Sequence, residues 1–290
     1  MRDRKDKYAK PRPARPAPAA PPTHWDDVAE WYDELVGAEG SEYHRHVILP
    51  GTLRLLKLQP GDKALDVACG QGVLCRVMHR GGAEVFGVDA SVELIRLARE
   101  RSDGAIRYQL ADARGLPRLP ADHFHAAACV LAIQNIHPLG AVMSAVARCL
   151  RPGGRFVVVM NHPCFRTPKA SSWGWDEKAL VQYRRIDRYL LPRKEPIVTH
   201  PGKGTQYTWT FHRPIQAYVK ALASAGLAID AMEEWASHKV SEPGPRSSAE
   251  NTARKEFPLF LAIRAIKPAT PAQPERDSAG AEQSPDQDHA

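Results

Sequence analysis

Three carboxylates in this 290-residue chain stand where strand-like runs end: Asp66 in ALDVACGQG (64–72), Asp89 in AEVFGVDAS (83–91) and Asp112 in AIRYQLADA (105–113). The carboxyl ends of adjacent parallel strands are where open α/β sheets bind ligands. Asp89 comes 17 residues after Gly72, a position from which a carboxylate accepts both hydroxyl protons of a ribose. Asp112 is placed to accept from the exocyclic amine of an adenine. Gly70 and Gly72 turn the first run into a helix, so the free N–H groups of the helix start face whatever lies above the sheet. A dinucleotide turn, GxGxxG, would have a third glycine where Cys75 stands. A pocket this acidic is also a poor host for a pyrophosphate. It suits an adenosine joined to a cationic group.

A second concentration of functional groups is Asn161–Asp176, NHPCFRTPKASSWGWD, directly after the apolar run GRFVVVM. Loops that carry large aromatic side chains pack on something or grip something. A metal reading of His162, Cys164 and His200 is disfavoured, because zinc ligands come in tighter pairs and Pro163 stiffens the His–Cys spacing. No metal is expected.

Positioning these residues falls to an alternation of strands and helices. Strand-like runs at 62–68, 83–91, 105–113, 123–133 and 154–161 are interleaved with helical spacing at 73–80, 92–102 and 137–150. Ser91 reads as the N-cap of the 92–102 helix, which frees Asp89 from that task. Arg151-Pro152-Gly153-Gly154 reads as a turn. A further helix at 213–227 precedes strands at 228–235 and 257–266, the last able to close a sheet as an antiparallel strand. Two amphipathic helices, WDDVAEWYDELVG and YHRHVILPGTLRLLKL, come before the first strand. The alternation predicts an α/β fold: a Rossmann-like parallel sheet with one antiparallel closing strand and helices on both faces. An N-terminal helical cap and an insertion at 162–212, after strand five, complete it.

Composition agrees with an ordinary globular chain, 43% apolar and 25% charged. No apolar run approaches the ~18–20 residues of a membrane span. Five scattered cysteines without a CxxC pair point to a reduced protein, and the charged N-terminus lacks the apolar core of a secretory signal, so a cytoplasmic location is expected. The net charge of +7 is uneven: residues 1–22 carry seven basic groups against Asp3 and Asp6, while five acids face Arg276 beyond Thr270. Both ends are rich in Pro, Ala, Ser and Gln and are expected to be disordered. The expected division is a basic tail (1–22), one domain (23–268) and an acidic tail (269–290).

LDVACGQG, GVDAS, ADARGLP and RPGGRFVVV, in that order and spacing, resemble the class I S-adenosylmethionine-dependent methyltransferases, particularly their small-molecule methyltransferase-domain group. The resemblance is closest over about residues 25–160. It implies S-adenosyl-L-methionine as cofactor, with Asp66 and the backbone at Ala68, Gly70 and Gly72 cradling the methionine end. Asp89 would take the ribose, Asp112 and the Ala113 N–H the adenine, with Ala90 and Leu131 as further cofactor contacts. Ala68 departs from the family's usual glycine, and a positive φ there would strain it. In such enzymes an insertion and the N-terminal helices cover the acceptor. That makes Tyr32, Arg166, Trp173 and Trp175 candidate substrate contacts, and His162 and His212 candidate catalytic residues. The bland alternatives are that the tryptophans fasten the insertion to the sheet and that the histidines only anchor hydrogen bonds.

AIQNIHP (132–138) stands where nucleobase amino-methyltransferases carry an Asn/Asp-Pro-Pro-aromatic motif, which disfavours a nucleic-acid acceptor. The expected activity is methyl transfer to an O, N or C centre of a small, aromatic metabolite, with no membrane partner. Two alternatives remain: an RNA methyltransferase anchored by its basic N-terminal arm, and a cofactor-binding protein without turnover.

Overall fold

The computed structural model describes residues 25–198 and 207–269. The tail expected at 1–22, all but the first residue of the tail expected at 269–290, and His200 lie outside them. A 3-10 turn (Asp26–Val28) leads into α1 (Ala29–Val36), and a π-helical turn (His44–Ile48) into α2 (Leu49–Leu56). Then come β1 (Lys63–Val67), α3 (Val73–Arg80), β2 (Glu84–Asp89), α4 (Val92–Glu100), β3 (Arg107–Leu110) and β4 (Phe124–Val130). α5 (Leu139–Cys149) and β5 (Leu150–Asn161) follow. Two hairpins, β6 (Ser171–Asp176) with β7 (Val181–Ile186) and β8 (Arg193–Val198) with β9 (Tyr207–His212), fill the expected insertion. The chain ends through α6 (Ile215–Ser224), β10 (Ala228–Trp235), α7 (Ser247–Glu256) and β11 (Phe260–Ile266).

Seven strands form one sheet in the order β10-β11-β5-β4-β1-β2-β3. β1 to β5 pair in parallel, and β11 is antiparallel to both its neighbours. Burial on both faces explains why the central strands read as near-continuous apolar runs. On β5, Phe156, Val158 and Met160 enter the core beneath α5 and α6, while Val157 and Val159 enter the core beneath α2 and α3. Ser91 caps α4 as expected, its Oγ accepting the Leu94 N–H. Strand order reverses between β1 and β4, and the crevice outside the carboxyl ends of strands at such a switch point is where this architecture binds ligands.

Two features differ from the sequence reading. Arg151–Gly154 is not a free turn but the bulged start of β5, where pairing with β4 jumps from Phe124↔Leu150 to Ala126↔Arg155. α7 carries no legible apolar stripe, because only Ala253 of its ten residues is buried. Among the described residues, no helix is long and apolar enough to cross a membrane.

Candidate active site at the strand switch point

A cavity of about 480 Å³ opens over the ends of β1, β2 and β4. Asp89, 9% exposed, forms part of its wall: Oδ2 accepts the Gly70 N–H and Oδ1 the Ser91 N–H, each at 2.9 Å. Burial raises its pKa, opposed by these backbone donors. Ala90, Ala113 and Leu131 line the same space. Ala68 and Leu131, at the ends of β1 and β4, adopt φ of +58° and +53°. Left-handed backbone costs a residue with a Cβ ~1–2 kcal/mol, and two such residues stand at the cavity wall. Gly70 has φ +56°, and a Cβ on it would meet the Tyr32 ring at 3.2 Å, so Tyr32 lies directly over the turn.

Tyr32 arrives from the helical cap, which is tied down at several points. Ser91 Oγ donates to Asp26 at 2.6 Å, and Gln71 Nε2 donates to the Gly37 carbonyl at 2.7 Å. The Arg76 guanidinium joins the Gln71 and Ala38 carbonyls, each at 2.7 Å. Burial, reinforced by Asp89 and Asp66, pushes the Tyr32 phenol well up, so it remains a protonated donor.

The other expected cofactor residues divide. Asp112 lines the cavity with its carboxylate forked by Arg114, which holds its pKa down. Asp66, 2% exposed, lines a smaller adjoining hollow that shares Tyr32, Ala68 and Val130 with the main cavity. Its Oδ2 accepts the Cys75 Sγ–H at 3.2 Å, and burial raises its pKa to about 7. Cys75 thus has work of its own at the position where a dinucleotide turn has glycine. Gly72 lines neither space: at φ +84° it starts α3, and a Cβ there would lie 2.4 Å from the Tyr108 hydroxyl. Its glycine is set by Tyr108 packing.

The far wall comes from the β8–β9 hairpin. Tyr207, Trp209 and Phe211 share one face of β9 while Thr208, Thr210 and His212 are buried on the other. Trp209 and Phe211 close over the cavity with Lys194, whose Nζ sits 3.9 Å from the Trp209 ring centre. Phe211 stacks on His137 at 5.2 Å, and Asn135 Nδ2 donates to the Trp209 carbonyl at 2.8 Å, which holds the hairpin down. Trp25 joins from the cap and meets Tyr32 edge to face at 5.7 Å. Sequence reasoning missed Trp25, Asn135, His137, Lys194, Trp209 and Phe211. The period-two aromatics of YTWTFH were the available signal.

The residues proposed for acceptor contact and catalysis, Tyr32 excepted, lie elsewhere. His162 is 1% exposed; its Nδ1 accepts the Cys164 and Phe165 N–H groups, so the proton is on Nε2, which donates to Glu234 at 2.7 Å. His212 donates from Nε2 to the Tyr189 carbonyl at 2.6 Å. Burial lowers the pKa of both rings, and neither lines the cavity. Arg166 and Trp173 line a separate space, and Trp175 lies under the Arg246 guanidinium at 4.6 Å. The tryptophans are drawn away because β6–β7 folds toward α7, whereas His212 lies on the buried face of β9, opposite Trp209 and Phe211, and His162 is turned to Glu234. No group of three or more potential metal ligands occurs among the described residues.

Residues 65–158 match a family model described as a methyltransferase domain. The chain is 31% identical over 245 residues to a ubiquinone biosynthesis O-methyltransferase of Xanthomonas axonopodis pv. citri, covering 82% of this chain and 89% of that protein. It is 29% identical over 156 residues to a demethylmenaquinone methyltransferase of Tropheryma whipplei, covering 53% of this chain and 60% of that one. Among solved structures, an S-adenosylmethionine dependent methyltransferase from Mesorhizobium loti superposes with a TM-score of 0.61 at 30% identity, over 79% of this chain and 100% of that one. With the fold, the strained switch-point cavity and these relatives together, the chain belongs to the class I S-adenosylmethionine-dependent methyltransferase family, and it is an enzyme of that kind.

Proposed function

We propose that the Asp89–Asp112 side of the cavity holds S-adenosyl-L-methionine, and that the side closed by Trp209 and Phe211 receives a small aromatic acceptor, methylated at an O, N or C centre. One observation carries the reading: a single cavity joins adenosine-type hydrogen-bonding groups to aromatic faces. The residues fit the cofactor. Asp89 is a buried carboxylate with lone pairs left for a diol, and Asp66, beneath Tyr32, suits an ammonium group; neither has a basic partner among the described residues. Asp112 and the Ala113 backbone suit the adenine, and the Ala68–Gly70 turn offers backbone groups to the ligand beside the Tyr32 ring.

When bound, the cofactor supplies an electrophilic methyl group on a sulfonium. The chain's own contribution is alignment and exclusion of water. Alignment of reacting atoms is worth up to ~7–11 kcal/mol, against ~3–5 kcal/mol for a general base acting at 10²–10⁴-fold. With His162 and His212 committed to structural hydrogen bonds, Tyr32 held protonated and His137 stacked on Phe211 in the wall, alignment is the larger contribution. An acceptor whose hydroxyl is already acidic suits such a site. Relatives named for ubiquinone biosynthesis and for demethylmenaquinone support a ring-bearing, quinone-related acceptor.

The test is S-adenosylhomocysteine release with a panel of phenols and hydroquinones. Removing one aromatic wall forfeits ~1.5–3 kcal/mol of apolar contact, so Trp209→Ala and Phe211→Ala should each raise the acceptor KM at least tenfold. S-adenosylhomocysteine affinity should stay within a few-fold. Unchanged KM in both variants would remove the hairpin from the acceptor site.

A further inference from the structure

A second cavity, of about 210 Å³, opens where β5 ends and β11 begins, and it shares no lining residue with the cofactor cavity. Its walls are rings: Phe257 meets Phe165 at 5.6 Å and Trp173 at 5.5 Å, both edge to face. Two guanidinium groups enter among them. Arg184 is fixed in place, donating to the Phe165 carbonyl and to Ser171 Oγ at 2.7 Å each, with its plane 5.1 Å from the Trp173 ring centre. Arg166 is not: its side chain donates to no protein acceptor among the described residues, and its contact is with the Phe260 ring at 5.8 Å.

Neither arginine is paired with a carboxylate among the described residues. Arg166 is solvent-exposed at the mouth of the cavity and Arg184 is half-buried, and Arg166 adds repulsion at Arg184. Of the carboxylates around this wall, Glu42 is taken by His238 and Lys239, Asp187 by Arg185 and Glu234 by His162, and Glu256, next to Phe257, pairs with neither arginine. Two like charges gathered on one cavity repel each other, and a bound anion would relieve that repulsion. A planar guanidinium with its fork free matches a carboxylate by two parallel hydrogen bonds, and the surrounding ring faces match a flat apolar body.

We propose that this cavity is a binding site for a small aromatic carboxylate, its ring against Phe165, Trp173 and Phe257 and its carboxylate on Arg166, with Arg184 adding charge beside them. The site is distinct from the cofactor cavity, so the proposal does not rest on the acceptor assignment above.

The probe is benzoate, titrated against the full chain by ligand-observed NMR. Benzoate should bind, and benzamide, the same shape without the charge, should bind at least tenfold more weakly. Arg166→Met should weaken benzoate at least tenfold, and Arg166→Lys, which keeps the charge but loses the fork, by a few-fold. S-adenosylhomocysteine affinity and melting temperature should be unchanged in both variants, which shows that they fold. Absence of benzoate binding at millimolar concentration, equal binding of benzamide, or undiminished binding to the Met variant would overturn the proposal. So would displacement of benzoate by equimolar inorganic phosphate, which would mark a bare anion site, or by S-adenosylhomocysteine, which would place benzoate in the cofactor cavity.

Discussion

Replacing Asp89 tests the cofactor assignment most directly, because its carboxylate faces two ways. On the protein side it accepts the Gly70 and Ser91 N–H groups, each at 2.9 Å. On the cavity side its remaining lone pairs are free for a ribose diol. Hydrogen bonds to a charged group are worth ~1.5–3 kcal/mol each, so two of them set a ceiling of ~3–6 kcal/mol. Water entering the space left by Asp89→Ala returns part of this, leaving about 3 kcal/mol, or on the order of a hundredfold in affinity. The same change leaves two backbone donors at the cavity wall to water, at ~1–2 kcal/mol of stability. Asp89→Asn sharpens the reasoning. The amide has one acceptor oxygen, so one of the two backbone N–H groups must face another donor, and the near-isosteric variant should bind almost as weakly as Ala. Calorimetric titration with S-adenosylhomocysteine, beside thermal melts, measures both effects. Affinity within threefold of the parent in either variant would refute the assignment.

Asp66 predicts a pH dependence. Its pKa is raised from 3.8 to about 7, and a cationic ligand group favours the ionised form, so binding releases a proton and affinity falls as pH falls. Between pH 8 and pH 6 the loss should be roughly tenfold, and Asp66→Asn should abolish the slope. The sign for stability is opposite. A raised carboxylate pKa contributes stability that is fully present below the unfolded value and is lost as pH rises through about 7, so the unliganded Asn variant should melt higher than the parent at pH 8. Ala68→Gly removes ~1–2 kcal/mol of left-handed strain but adds ~0.5–1 kcal/mol of unfolded-state entropy, so a net gain of about half a kcal/mol is expected in denaturant melts; a clear loss would mean that the strain is not there. His162→Ala and the Trp173→Ala/Trp175→Ala pair should lower stability, by ~1–3 kcal/mol for the histidine, while turnover per folded enzyme stays within a few-fold. Activity lost at unchanged melting temperature would return these residues to the reaction.

The amino-acid sequence by itself determined the sheet, its helices and the strand-end residues that line one side of the cavity. Those features are written in neighbours along the chain. Near-continuous apolar runs mark the central strands and apolar residues at helical spacing mark their helices, and a glycine turn followed by Asp89 and Asp112 marks the strand ends. Even the doubt over Ala68 was legible, since only backbone geometry was needed to state it. The aromatic wall of the cavity was decided by tertiary structure. Which hairpin reaches the switch point depends on contacts such as Asn135 to the Trp209 carbonyl, 74 residues apart, and His162 to Glu234, 72 apart. A one-residue change of face exchanges Trp209 and Phe211 for Thr210 and His212, and no local pattern says which face turns to the cavity. Long-range hydrogen bonds and packing set that choice, and they exist only once the sheet has formed.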